Sequence, residues 1–339
     1  MQGMPETTAC RGPVQEPLLS GITTEEILAA IRAPCDGLKP VIGYALGTPG
    51  KRLRSALVYG SARLLGCPQS PNLARSAALV ELLHNGTLLH DDVMDHARIR
   101  RNRPSVNRLW GDAVAILAGD FLLATVVDLA LETAIPSVVA TAVDTLIELV
   151  EGQMLEIQHQ GDVDLQEETY LRIIEKKTGS LMGAACKIGA SVARGASQQI
   201  CSLARFGLDL GLAFQMLDDV RDYTASAETS GKDPGRDLAE GKVTLPFIAS
   251  LRKADPSQRA RLREVFSHPA RACTLDELRG LLDRLGGFPY TLRAARKSVE
   301  RAIASLSPFP ISPARSHLEE IALQVLAGFQ APSITDTGR

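Results

Sequence analysis

Two stretches of the chain carry the same acidic pattern. LLHDDVMD places Asp91, Asp92 and Asp95 after one apolar run, and FQMLDDVRD places Asp218, Asp219 and Asp222 after another. Residues four apart share a helix face, which pairs Asp91 with Asp95 and Asp218 with Asp222. Like charges so spaced destabilise a helix by roughly 0.2–0.5 kcal/mol per pair. One such cluster reads equally well as a solvated helix end. The same pattern twice, on otherwise apolar helices, points to a ligand that offsets the repulsion. Oxygen donors alone suit Mg²⁺, which takes one or two carboxylates and fills its shell with water and substrate phosphate.

Arginines follow the first cluster: Arg98, Arg100, Arg101, Arg103 and Arg108. Their planar, multi-donor heads suit phosphate oxygens. Metal-holding carboxylates beside arginines are what a diphosphate requires, since both neutralise it. The plain alternative is a solvated basic loop. A nucleic-acid surface is disfavoured, because the adjacent carboxylates would repel a phosphate backbone. A second basic run, Gly50-Lys51-Arg52-Leu53-Arg54, is a weak signal by itself. His84 lies seven residues before Asp91, close to two turns, and shares its face with Asp91 and Asp95. Alone it would be a structural histidine. No Ser/His/Asp or Cys/His arrangement for nucleophilic catalysis accompanies these groups.

These residues need a scaffold. The 339 residues are 45% hydrophobic but only 4% aromatic, so aliphatic side chains must build the core. A net charge of −2 gives no global attraction to nucleic acid. Six cysteines without CxxC spacing support neither zinc nor a disulfide framework. The start lacks the basic and apolar regions of a signal peptide, so the expected compartment is the cytoplasm. The most apolar long stretch, Ala113 to Ile135, is interrupted by Asp120, Asp128 and Glu132. It therefore reads as a buried helix, not a membrane span.

Helical signals dominate and no alternating strand pattern of useful length appears. Thr23 with Glu26, and Thr274 with Glu277, fit capping boxes. Leu278, Leu281, Leu282 and Leu285 repeat at helical spacing until Gly286-Gly287. Leu318, Ile321, Ala322, Val325 and Phe329 mark another amphipathic helix. Ala225 to Gly241 is polar, contains Gly231, Pro234 and Gly235, and reads as a mobile loop after a helix. The expectation is one all-α domain over residues 18–330, with poorly ordered ends at 1–17 and 331–339. Its helices would form a bundle around a deep central cavity, with both acidic clusters at the mouth.

At this point the sequence resembles the trans-isoprenyl (polyprenyl) diphosphate synthases. The resemblance runs from about Gly50 to Pro246. It rests on GKRLR, HDDVMD, Arg100-Arg101, Lys177-Thr178, FQMLDD and GKVTLP, in that order. It implies an isoprenoid-synthase fold, a homodimer, and Mg²⁺-dependent head-to-tail condensation of isopentenyl diphosphate with an allylic diphosphate. Lys51, Arg54, His84 and Arg101 would bind isopentenyl diphosphate. Arg100, Lys177, Thr178, Gln215, Lys232 and Lys242 would face the allylic diphosphate. Asp91 and Asp95 would hold two Mg²⁺ ions and Asp218 a third, supported by Asp92, Asp219 and Asp222. Lys177 joins the six aspartates as catalytic. Departures from the family pattern are His96 for an acidic residue, Asn102 for glycine, Ser105 for threonine and Arg221 for an apolar residue.

In relatives, residues four and five before the first aspartate wall the cavity that receives the growing chain. Here they are Thr87 and Gly86, both small, with Leu83 a turn further back. Glycine inside a helix costs about 1 kcal/mol relative to alanine, so clearance for a lipophilic product of about C30 or longer is one motive; close helix packing at Gly86 is the other. A farnesyl or geranylgeranyl product stays open. A class I terpene cyclase would differ at the second cluster, and a squalene-type synthase would lack GKRLR. A regulatory prenyltransferase subunit would usually have lost acidic ligands, and none is missing.

Overall fold

The computed structural model describes residues 21–32, 34–48, 50–224, 235–267 and 275–328. The expectations for residues 1–17 and 331–339, for Lys232, and for Thr274 and Phe329 fall outside them. The helices are α1 (Thr24–Ala30), α2 (Lys39–Leu46), α3 (Leu53–Leu64), α4 (Pro71–Met94), α5 (Val106–Trp110), α6 (Asp112–Glu132) and α7 (Pro136–Gln158). Next come α8 (Glu167–Ile174), α9 (Ser180–Val192), α10 (Ser197–Thr224) and α11 (Arg236–Ala239). The series ends with α12 (Leu245–Lys253), α13 (Pro256–Ser267), α14 (Leu275–Arg284), α15 (Gly287–Ser305) and α16 (Pro313–Ala327).

The architecture is all-α around a continuous aliphatic core. Helices α4 and α10 carry the acidic clusters and sit inside the bundle. The first packs against α3, α6 and α9, the second against α9 and α15. Apolar residues all round suit such positions. Leu79, Leu82 and Leu83 of α4, and Phe206, Leu210 and Ala213 of α10, are at most 1% exposed. Ser70 starts α4 by accepting from Leu73 N–H at 3.2 Å, with Pro71 at the first helical position. The capping box on α1 forms: Thr23 Oγ1 accepts from Glu26 N–H at 3.2 Å, and Glu26 Oε2 from Thr23 N–H at 2.7 Å. Helix α14 stops at Arg284 and Gly286 turns the chain with φ +77°, so the leucine repeat ends as its glycines suggest.

Two local expectations change. A hairpin of two-residue strands, Ile99–Arg100 and Arg103–Pro104, interrupts the helices. Its turn residues Arg101 and Asn102 have φ of 52° and 60°, the sign that tight hairpins demand. Asn102, standing where the family pattern has glycine, is a residue type that tolerates this region. The polar stretch before Gly241 is also not all loop. Residues 225–234 lie outside the described set, but Arg236–Ala239 forms a helical turn.

Helices α6 and α10 are both long and apolar enough to cross a membrane. In this bundle α6 buries Ala115, Ala118, Leu122, Val126 and Leu129. Three of its carboxylates are paired at the surface: Asp120 with His90, Asp128 with Arg32, and Glu132 with Arg75. Ser70→Ala should lower stability by about 1 kcal/mol in urea unfolding. It should leave metal binding unchanged, since Asp91 lies about 30 Å along α4 from the cap.

Candidate active site

A cavity of about 410 Å³ opens where α4 and α10 end, and Asp91, Asp95, Asp218, Asp219 and Asp222 all line it. The two most deeply buried carboxylates of the clusters are each pinned. Asp92, 3% exposed, is held by Arg100, whose Nε donates at 2.9 Å. Asp219, 2% exposed, accepts from Tyr170 O–H at 2.6 Å and Gln215 Nε2 at 2.9 Å. Desolvation pushes Asp219 up to about 7 despite those donors. Gln215 Oε1 in turn accepts from Thr178 O–H at 2.8 Å, so Thr178, Gln215, Asp219 and Tyr170 form one oriented chain.

Asp91 has no hydrogen bond to its carboxylate among the described residues. Burial raises its pKa against the pull of Lys177, and Asp95 raises it further. Asp95, at the end of α4, meets Lys242 at 3.3 Å and Arg236 at 3.4 Å. Asp222 ties down α11, accepting from the backbone N–H groups of Arg236 at 3.3 Å and Asp237 at 3.0 Å. These oxygen donors fit a hard cation such as Mg²⁺: Asp91 is desolvated and short of a partner, and Asp218 is 44% exposed toward the cavity. Among the described residues no three ligands converge on one point. Substrate oxygens and water would have to complete each shell.

The cations divide into two groups. On the α3 side, Arg52, Arg54 and Arg101 gather around His84, with Glu81 accepting from Arg52 at 3.2 Å. The Nε atoms of Arg52 and Arg54 are buried without a hydrogen-bond partner. Burial lowers Arg54 to about 10, still charged at neutral pH. Burial and four surrounding arginines hold His84 far below the usual histidine range, so it is neutral there. Backbone strain concentrates here as well, since Arg52 and Arg101 both sit at positive φ. Arg101 donates to Thr48 O at 2.6 Å.

On the opposite wall, Lys177 is paired with Glu156, and Lys242 reaches Glu240 at 2.7 Å and Glu156 at 3.7 Å. Burial would lower Lys242, but Glu156, Asp95 and Glu240 hold its ammonium well above the ordinary lysine range. Lys177 rides on a π-helical turn, Glu175–Gly179, between α8 and α9. Such turns occur mostly at functional sites, where the extra residue re-aims side chains. Gly152 of α7 lets this turn approach: a Cβ there would lie 2.8 Å from Lys176 Cβ and 2.9 Å from Lys177 Cγ.

Most residues singled out in the sequence therefore meet in one cavity: Arg54, His84, Thr87, Arg100, Arg101, Lys177, Thr178, Gln215 and Lys242 line it with five of the six aspartates. Lys51 is exposed and does not line it. Thr87 is on the wall, whereas Gly86 faces α6, where a Cβ would lie 2.8 Å from Leu123 Cδ2. Leu83 is buried in the core, 1% exposed. His96 is exposed outside the cavity, and Ser105 keeps its hydroxyl's bond to Ala97 O at 2.6 Å.

Sequence reasoning missed Glu156, Tyr170, Arg236, Asp237 and Glu240, all on the cavity wall. Glu156 follows Gly152-Gln153 on an apolar helix, a signal that was readable. The other four depend on how α8 and α11 fold back over α10.

A family model described as polyprenyl synthetase matches residues 36–280. The chain is 34% identical over 281 residues to the all-trans-nonaprenyl-diphosphate synthase (geranyl-diphosphate specific) of Rhodobacter capsulatus, covering 83% of this chain and 86% of that one. It is 33% identical over 312 residues to the short chain isoprenyl diphosphate synthase of Methanothermobacter thermautotrophicus, covering 91% and 92%. The polyprenyl synthase from Caulobacter crescentus CB15, solved with calcium and isoprenyl diphosphate, superposes with a TM-score of 0.84. There the identity is 32%, over 89% of this chain and 92% of that one.

Gly152→Ala should push the Lys177 turn off α7 and lower kcat/KM about 10- to 100-fold, as misplacement by about 1 Å does. Gly43→Ala, where an added Cβ meets nothing within 4 Å, is the matched control and should leave kcat/KM unchanged.

Proposed function

Because this chain belongs to the polyprenyl synthetase family and is a prenyltransferase, we propose that it joins isopentenyl diphosphate head-to-tail to an allylic diphosphate and builds a long all-trans chain. The observation that carries this reading is a single cavity with two acidic clusters and two separate sets of cations. Two diphosphates need two cationic seats. The guanidinium groups beside His84, with the Nε atoms of Arg52 and Arg54 unsatisfied, suit isopentenyl diphosphate, and the wall of Lys177, Thr178, Gln215 and Lys242 suits the allylic partner.

Magnesium, three ions held by Asp91, Asp95 and Asp218, would supply charge neutralisation at the allylic diphosphate oxygens. The chain's own groups act alongside it. Lys177 and Lys242 exchange their carboxylate partners for diphosphate oxygens and stabilise the charge that develops as the allylic C–O bond ionises. The electron pair of that bond leaves with diphosphate. The double bond of isopentenyl diphosphate attacks the carbocation, and the departing diphosphate takes the proton then lost. No side chain is needed as a base. Thr178 and Gln215, fixed by Asp219 and Tyr170, orient the leaving group.

A long product is supported by small Thr87 on the cavity wall and by apolar Leu88, Ile173, Ile174, Leu181 and Phe214. The likeness to a nonaprenyl synthase supports it too, while the likeness to a short-chain synthase names the rival outcome. The reaction is assigned to the cytoplasm, where both diphosphates dissolve.

Purified protein with Mg²⁺, farnesyl diphosphate and labelled isopentenyl diphosphate should give a ladder of about C30 or longer, and Thr87→Phe should shorten it by narrowing the wall. A wild-type ladder stopping at C20 rejects the long-chain assignment. No product with any allylic starter rejects the enzyme acting alone and favours a regulatory subunit.

A homodimer is supported by an uncovered apolar face. On α7, Val143, Ile147, Val150, Met154 and Ile157 are exposed at alternating four- and three-residue steps, beside Ile116, Leu117, Val127 and Leu131 of α6. That spacing is the seam of helix-to-helix association, and a patch so continuous needs a cover. Sedimentation should show a dimer, and Ile147→Asp with Val150→Lys should yield monomers. A wild-type monomer at micromolar concentration would overturn this assignment.

A further inference from the structure

Arg221 sits inside the second acidic cluster and, among its contacts, links that cluster to the end of α16, which packs on α10. Its Nη1 lies 3.3 Å from Asp218 Oδ1, and its Nη2 donates to Gly328 O at 3.3 Å. Gly328 is the residue that ends α16, and the last turn of that helix contains no basic side chain. The carbonyl end of a helix carries partial negative charge and unsatisfied acceptors, which a nearby cation stabilises. Arg221 therefore supplies, from α10, the cation that α16 lacks. Leu318, Ile321 and Ala322 hold the body of α16 in the core, Val325 and Leu326 pack half-buried against it in the final turn, and the Arg221 bond adds a polar contact at the helix end.

We propose that Arg221 is a positioning residue that couples cation loading at Asp218 to the seating of the C-terminal helix. The inference rests on the assignment of Asp218 as a metal ligand. A divalent ion arriving at Asp218 competes for the oxygen that Arg221 holds and repels its guanidinium, because both are positive. The guanidinium fork spans Asp218 and Gly328 together, so losing the first anchor loosens the second. Coupling of this kind is reciprocal: a firmly seated α16 lowers metal affinity by the same factor that metal loosens α16. Arg221 is 30% exposed and Asp218 44% exposed, so the effect is graded and not all-or-none.

The test uses the full chain, with Mn²⁺ as a paramagnetic probe in the presence of inorganic diphosphate. Metal affinity is read from water-proton relaxation and helix seating from backbone hydrogen exchange over residues 322–328. Arg221→Leu should tighten the Asp218-dependent ion roughly 2- to 5-fold, the range expected for a partly exposed ion pair. In the wild type, metal with diphosphate should speed exchange in that segment. In Arg221→Leu exchange should already be fast and should no longer respond. Arg221→Lys, which keeps the charge but has no fork to span both oxygens, should retain weak metal binding while losing the helix response. Asp218→Asn separates the two readings. If it loses one ion while Arg221→Leu binds metal as the wild type does, the coupling is wrong and the metal assignment stands. If Asp218→Asn binds as many ions as the wild type, the metal assignment fails and the coupling with it.

Discussion

A dense group of buried and half-buried charges of both signs gathers where α4 and α10 end, and much of the fold is arranged to make that tolerable. Removing a carboxylate or ammonium from water costs several kcal/mol unless the ion is paired and hydrogen-bonded. Asp92 and Asp219 are almost wholly buried and each has fixed donors, Arg100 in one case and Tyr170 with Gln215 in the other. The carboxylates left to reach the cavity, Asp91 and Asp218 among them, are those with solvent or substrate in front of them. Each acidic cluster thus divides between residues that anchor the site and residues that present charge to a ligand.

Holding those groups apart and aimed requires a stiff frame. Helices α4 and α10 are buried over most of their length, so their ends cannot drift toward a geometry that relaxes the repulsion. The aliphatic core fixes them from all sides, at a density where even one methyl group is felt. Close backbone approach does the rest. Gly152 admits the π-helical turn from the α7 side and Gly211 from the α10 side, where a Cβ would come within 2.7 Å of Gly179 Cα. Lys177 and Thr178 are held between them. Strain at Arg52 and Arg101 is consistent with the same demand, because two positive-φ arginines persist only where their surroundings hold them.

What the sequence made legible follows from distance along the chain. Asp91 with Asp95, and Asp218 with Asp222, are neighbours on one helix, and helical spacing alone places them. His84 follows from the same rule and does line the cavity. The capping box at Thr23 is equally local. Tyr170 is illegible because its partner Asp219 lies far along the chain, and Glu156, though a charge on an apolar helix marks it, does not reveal Lys177 as its partner. Asp237 and Arg236 were hidden in a stretch that composition marks as loop, yet Asp222 binds their backbone N–H groups and folds them into the site. Gly86 shows the converse. Its position in the sequence pointed first to cavity clearance, with packing as the alternative, and in the fold it meets Leu123 of α6. Helical spacing alone does not say which neighbour a residue's face will meet.

The two cation sets differ in a way that explains why one diphosphate would need metal and the other would not. Around His84 the guanidinium groups of Arg52, Arg54 and Arg101 face Glu81, with Asp92 also acting on Arg101, and two of their Nε atoms have no partner. That seat carries a surplus of positive charge before any ligand arrives, so an anion entering it relieves repulsion and satisfies orphaned donors. On the far wall Lys177, Lys242 and Arg236 are matched by Glu156, Glu240 and Asp95, and Asp91, Asp218 and Asp222 add further negative charge. A diphosphate approaching there meets a net negative field, and lysines already engaged cannot reverse it. Divalent cations would, because they would convert the carboxylates from repulsive neighbours into ligands. The asymmetry also guards the chemistry. On the proposed reading, the diphosphate seated against the aspartates would receive the positive charge that assists its departure, and its allylic C–O bond is the one whose ionisation gives a resonance-stabilised cation. The partner bound by arginines would therefore keep its own C–O bond while its double bond reacts.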